Sequence, residues 1–314
     1  MNLLSLRCII NAMAGSIPNT MAGNSNTLIV LGSSPDSYFI GHGRRHFVEN
    51  MPTSFTNHAK TDLNISMVLW ISMSKNLDTW ISYNTATTNF HFNRVNQDIA
   101  DHLSGANGKA AAAFVSFPDS TDPAYYFVTG KDHATWNAFL DDYLIQKLSE
   151  AKTLVGATFD AALTGMLFGK GRTHIFTFQT GFLADLDDDE VPSEEHPLHK
   201  VLVQYNGWCI ERGSTLCFYD SRYFFLKFKR PGDSQIQMNW NLPPNMDAKL
   251  RALQNAAQQP EEQMALMQES QGWTNTTHTV QNAENQLNIN RIRRAELNQA
   301  LLGGETIVEY RRYY

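Results

Sequence analysis

The sequence predicts a mainly β fold, assembled from about five copies of one unit of roughly 45 residues, each reading as three strands and a short helix. Three observations predict it. A Gly-containing polar turn recurs at near-multiples of the unit length. Aromatic and aliphatic runs of strand length flank those turns. Several of the units then close on an Asn- or Pro-marked stretch that enters a helical spacing of apolar residues.

The turns come first. Residues 41–47 read GHGRRHF and residues 169–176 read GKGRTHIF, so both give Gly-x-Gly-Arg-x-His before an apolar residue. They lie 128 residues apart, close to three units, and GKDH at 130–133 begins 89 residues after Gly41, close to two. The expected strands before these turns end near Ile40, Ile81, Val128, Phe168 and Tyr219. An earlier strand is expected in each unit, at 27–31, 66–71, 113–117, 153–159 and 208–210, and a third after the turn, such as 175–178. The unit ends also correspond. ENMPTSF at 49–55 parallels WNLPPNM at 240–246, with looser versions at 92–99 and 136–143. Proline is preset for helix entry, and Ile99 with Leu103, like Met246 with Leu250, keeps the i, i+4 spacing of one helix face.

One such unit cannot bury its apolar face alone, so several must stack or close into a ring. Across residues 25–255 the pattern resembles a β-propeller with small blades; an open β-solenoid or two packed sheets are the alternatives. Residues 1–24 stand apart as an N-terminal segment. Residues 256–314 form a tail of different character, since 16 of the 46 residues from 254 to 299 are Gln or Asn. The tail reads as two helices, then a terminal strand at 306–314 suited to homo-oligomer formation.

Composition limits the function. Twenty-five basic against 31 acidic side chains give a net charge of −6, which argues against a general nucleic-acid binder. No run reaches the roughly 18 apolar residues of a membrane span, and a cytoplasmic setting is expected, with secretion the minor alternative. Three cysteines (Cys8, Cys209 and Cys217) make no disulfide framework, and buried thiols are the expectation.

The familiar catalytic motifs fail on spacing. GMLFGKGR at 165–172 has three residues between its first two glycines, where a phosphate loop needs four, and Gly171 follows Lys170 where Ser or Thr is required. The acidic run at 185–190 lacks the glycine and glutamate of a calcium loop, and Pro197 keeps His196 and His199 from one helix face. No metal or other cofactor is expected.

What remains is the recurring turn. If the units are equivalent, one face collects His42, Arg44, His46, Lys131, His133, Lys170, Arg172, His174 and Arg222. Clustered cations focus positive potential on an anionic small molecule or an acidic protein segment. The leading expectation is therefore a binding protein using one loop face. A cyclase- or isomerase-type enzyme with its pocket at the mouth of the ring is the alternative, and a carbohydrate-binding propeller the third.

Overall fold

The computed structural model describes residues 20–22, 26–85, 87, 89–104, 114–122, 124–130, 136–186 and 195–259. A short strand, β1 (Thr20–Ala22), precedes the first unit. That unit is β2 (Thr27–Leu31), β3 (Tyr38–His42), β4 (Arg45–Glu49) and helix α1 (Thr53–Thr61). The second is β5 (Val68–Met73), β6 (Trp80–Asn84), β7 (Asn89–Asn93) and α2 (Gln97–Ser104). The third is β8 (Phe114–Ser116), β9 (Tyr126–Thr129), β10 (Trp136–Phe139) and α3 (Asp142–Val155). A one-turn helix, α4 (Phe159–Ala162), leads into the fourth: β11 (Leu163–Phe168), β12 (His174–Phe178), β13 (Gly181–Asp185) and α5 (Pro197–Gln204). The fifth is β14 (Cys209–Ile210), β15 (Thr215–Leu216), β16 (Phe224–Lys229), β17 (Ile236–Asn241) and α6 (Pro244–Ala257).

The first four units are three-stranded antiparallel meanders, with the second strand central. The fifth sheet has five strands, because β14 and β15 share one edge of β16 and β1 pairs with the outer edge of β17. Residues 20–22 thus add an edge strand to the fifth sheet. The first strands touch in succession: β2 meets β5, β5 meets β8, β8 meets β11, β11 meets β15, and β15 meets β2.

The helices fill the spaces between successive sheets. In α1, Phe55 and Ala59 pack with Leu28, Val30 and Phe39 of the first sheet and Ile71 and Trp80 of the second. Leu144 and Leu148 of α3 join Phe127 of the third sheet to Met166 and Phe176 of the fourth. Met246, Leu250 and Leu253 of α6 join Phe225 and Trp240 of the fifth sheet to Ile29 and Ile40 of the first. Met246 and Leu250 are fully buried, each contributing about 2 kcal/mol. The parallel between ENMPTSF and WNLPPNM holds: Pro52 and Pro243 both cap a helix that follows the third strand of the unit, with φ −55° and −51°.

Two expectations need correction. Residues 153–159 are not a strand but the end of α3, a short 3-10 turn and the start of α4. Their β-branched and apolar side chains suggested extended chain, yet Asp141 caps α3 and Gly156, at φ +75°, ends it. The repeat register also slips by one strand between the units. Gly41 lies within β3, the second strand of its unit, whereas Gly169 follows β11, a first strand. Likewise Ile40, Ile81 and Val128 sit in second strands, while Phe168 ends a first strand and Tyr219 lies between β15 and β16. The reason is local. Gly43 and Gly171 both take φ +62°, so one left-handed Gly-Arg turn serves opposite ends of the central strand.

The chain divides into two units after Gln259. The expected tail helices, the strand at 306–314 and the oligomer contact assigned to them lie outside the described residues. Among the described residues, no helix is long and apolar enough to cross a membrane.

Candidate functional site

Because each sheet is a meander, its first and second turns lie at opposite ends. The cations assigned to one face therefore divide. His42, Arg44 and His46 belong to the second turn of the first unit, and Lys170, Arg172 and His174 to the first turn of the fourth. Arg222 lies before β16, also at a first turn. Lys131 and His133 lie outside the described residues. Not all of these side chains face outward either. His42 is buried, with Nδ1 2.7 Å from the Thr27 hydroxyl, and burial lowers its pKa. His174 is also buried and meets the Arg172 carbonyl at 2.7 Å.

The first-turn end is rich in paired charge. Arg222 grips Asp220 with two guanidinium nitrogens, at 3.0 and 2.6 Å, while its backbone N–H donates to the same carboxylate. Asp119 accepts from the Gly171 N–H at 2.6 Å and from the Lys75 ammonium at 2.5 Å, and so ties the first turns of the second, third and fourth units together. Arg172 lies 4.5 Å over the ring of Tyr143. Asp119, Gly171, Tyr143 and Arg172, with Tyr125 and Asp141, line a partly open cavity of about 110 Å³. It has room for a few waters, and its carboxylates are committed: Asp119 to the contacts above, Asp141 to capping α3 through the Leu144 N–H.

The second-turn end differs. Arg44 and Arg45 are exposed, and His46 stacks on Phe39 with its pKa lowered by burial and then by Lys60. With Phe47 they form one wall of an open groove of about 530 Å³, whose other wall is Ala252, Leu253 and Ala256 of α6. Basic side chains thus rim an apolar floor.

A serine, a histidine and an aspartate also fall in line at the junction of the first and second units. Ser82 Oγ is 2.9 Å from His58 Nε2, and His58 Nδ1 is 3.6 Å from Asp62. The order suits nucleophilic catalysis, but Ser82 is only 1% exposed, in the middle of β6 and beneath α1. A nucleophile must meet its substrate; this hydroxyl instead pins α1 to the sheet. His58 further stacks between Trp80, at 4.9 Å, and His91, at 4.8 Å. Burial and the neighbouring His91 lower its pKa, against Asp62.

Two cations escaped the sequence reading, Arg212 and Lys227. Lys227 lies within β16, whose alternation places Phe224, Leu226 and Phe228 on one face. A lysine between them reads as solvent-facing, yet it is 5% exposed. Only the approach of neighbouring units buries it. Arg212 lies in the turn between β14 and β15 and is half-exposed. Cys209 and Cys217 are free, buried thiols, as expected, and burial pushes Cys217 up to about 11.

Comparison with known protein families, curated proteins and solved structures finds no match to this chain.

Proposed function

We propose that the chain is a non-catalytic binding protein, in which five blades close into a propeller-like ring and the second-turn end receives an acidic protein segment. Ring closure is supported by the circuit of first-strand contacts, which returns from β15 to β2, and by β1 completing the fifth sheet from the N-terminal side. A propeller joined in this way has chain from both ends in its last blade.

The observation that carries the binding reading is the form of the groove. It is open, rimmed by Arg44, Arg45 and His46 over Phe47 and Leu253, whereas the cavity at the other end holds only about 110 Å³. Enzymes enclose small substrates in deep pockets, while partner segments lie in open, amphipathic grooves. Arginine at the rim supplies charge-assisted hydrogen bonds to carboxylates, and the floor accepts an apolar side chain.

The test is fluorescence anisotropy with a labelled peptide alternating Glu and Leu, against the full chain and an Arg44→Ala/Arg45→Ala double variant. Each charged hydrogen bond lost is worth about 1.5–3 kcal/mol, so affinity should fall at least about tenfold, and added salt should weaken wild-type binding. Equal binding by the folded double variant, or no binding by the wild type at millimolar peptide, overturns the reading.

A further inference from the structure

The outer strand of each meander is a sheet edge, and the fifth sheet shows what such an edge can take. There the outer side of β17 is occupied by β1, which pairs antiparallel through Thr20 with Asn239, Met21 with Met238 and Ala22 with Gln237. In the first sheet the strand in the corresponding place is β4, which pairs with β3 on its inner side. Among the described residues, the backbone groups of His46, Phe47 and Val48 make no hydrogen bond outside that pairing. An antiparallel strand turns the N–H and C=O of every second residue away from its partner, so the outer side of β4 presents a row of donors and acceptors.

The groove at the second-turn end runs along that side. Successive residues of a strand point to opposite faces. Phe47 packs against the cluster that holds Leu250 and Leu253 of α6, whereas Val48 packs against the cluster that holds Phe55 of α1, and His46 stacks on Phe39 of that same cluster. Yet Arg44, Arg45, His46 and Phe47 all line one groove. A space open to four consecutive residues reaches the edge between the two faces, where the backbone of the strand lies. The charge on this edge is also distinctive. β4 reads RHFVE and follows Arg44, whereas the outer strands β7 (NFHFN), β10 (WNAF) and β13 (GFLAD) carry no arginine or lysine. Lys60 of α1 adds to the positive field at His46.

We propose that the groove takes its acidic segment as an added β-strand on the outer side of β4, the counterpart of β1 on β17. This rests on the groove reading above and fixes the conformation of what binds: an extended stretch of a partner protein that alternates carboxylate and apolar side chains. The backbone of the segment hydrogen-bonds to that of β4, and alternate side chains supply the selectivity. Apolar residues fall on the α6 side, against Phe47 and Leu253. Carboxylates fall on the opposite face, toward His46 and Lys60, and within reach of the long arginine side chains at the turn. A helical segment would satisfy its own backbone and leave the row along β4 unpaired.

Backbone N-methylation of the labelled Glu–Leu peptide tests the mode of binding, because a strand directs the N–H groups of alternate residues to one side. One peptide is methylated at its leucines and a second at its glutamates, and each is titrated against the full chain by anisotropy. One of the two should lose at least about tenfold in affinity, since several backbone hydrogen bonds go together, while the other stays within about threefold of the unmodified peptide. Adding the unmodified peptide should also slow amide hydrogen exchange in residues 45–49 at least about tenfold. Equal losses in both methylated peptides, no loss in either, or unchanged exchange in β4 overturns strand addition. In those cases the groove reading stands if binding of the unmodified peptide still depends on Arg44 and Arg45. No binding of the unmodified peptide removes both.

Discussion

The two ends of the sheets use the same turn chemistry for different purposes. At the first-turn end the charges answer one another: Asp119 holds Lys75 and the Gly171 N–H, and Asp220 holds Arg222. At the second-turn end Arg44 and Arg45 rim an apolar groove. A Gly-Arg turn read from sequence is therefore no guide to whether its charge is structural or available to a ligand.

The largest effect should come from glycine at the two ends. Gly213→Ala combines a left-handed φ of +82° with backbone and ammonium contacts at 2.9 Å, and should cost about 3 kcal/mol. Gly171→Ala has nothing within 4 Å of its new methyl group at φ +62°, and should cost about 1 kcal/mol. Urea unfolding of both variants makes the comparison; equal losses would show that contact at Gly213 contributes nothing.

Asp119→Ala should come next. The carboxylate is 7% exposed, and its removal leaves the Gly171 N–H and Lys75 without their acceptor, at about 2 kcal/mol. A melting temperature within a degree of wild type would refute the tying role of this residue.

Acid should then act through the second-turn end and the α1 seam. The pKa values of His42, His46 and His58 are all lowered, chiefly by burial, so the native state binds fewer protons than the unfolded chain. Their contribution is present above the ordinary histidine pKa of about 6.5, and is lost as pH falls through that value toward the lower folded values. His58→Gln should flatten this slope between pH 7 and 5; an unchanged slope would remove His58 from the account.

The smallest effect is the most diagnostic. Arg44→Ala and Arg45→Ala, on exposed side chains, should each change stability by less than about 0.5 kcal/mol while weakening acidic-peptide binding. A clear stability loss would move the second-turn cations into the same structural class as Asp220 and Arg222.

Much of the fold was legible because its signals are local. Strand-length runs such as Thr27–Leu31 and the i, i+4 pairs Ile99/Leu103 and Met246/Leu250 report which faces must be buried, whatever they are buried against. Proline at 52 and 243 likewise presets helix entry. The candidate site was legible only in part. Two Gly-Arg turns with the same φ give nearly the same hexapeptide, and the strand preceding each does not say whether it is first or second in its sheet. That slip divided the expected cation face between opposite ends. Residues 153–159 were misread for a related reason, since β-branched side chains tolerate a helix end when Asp141 and Gly156 fix its limits.

By itself, then, the sequence determined the mainly β class, the number of units and the helix that follows each third strand, because alternation, turn chemistry and capping act over a few residues. Tertiary structure alone decided which charges are spent. Lys227 lies in an alternating strand that reads as half-solvated, and it becomes buried because Asn26 and Leu69 arrive from units about 200 and 160 residues away in the chain. Desolvation is a property of the assembled neighbours, and no local pattern records it.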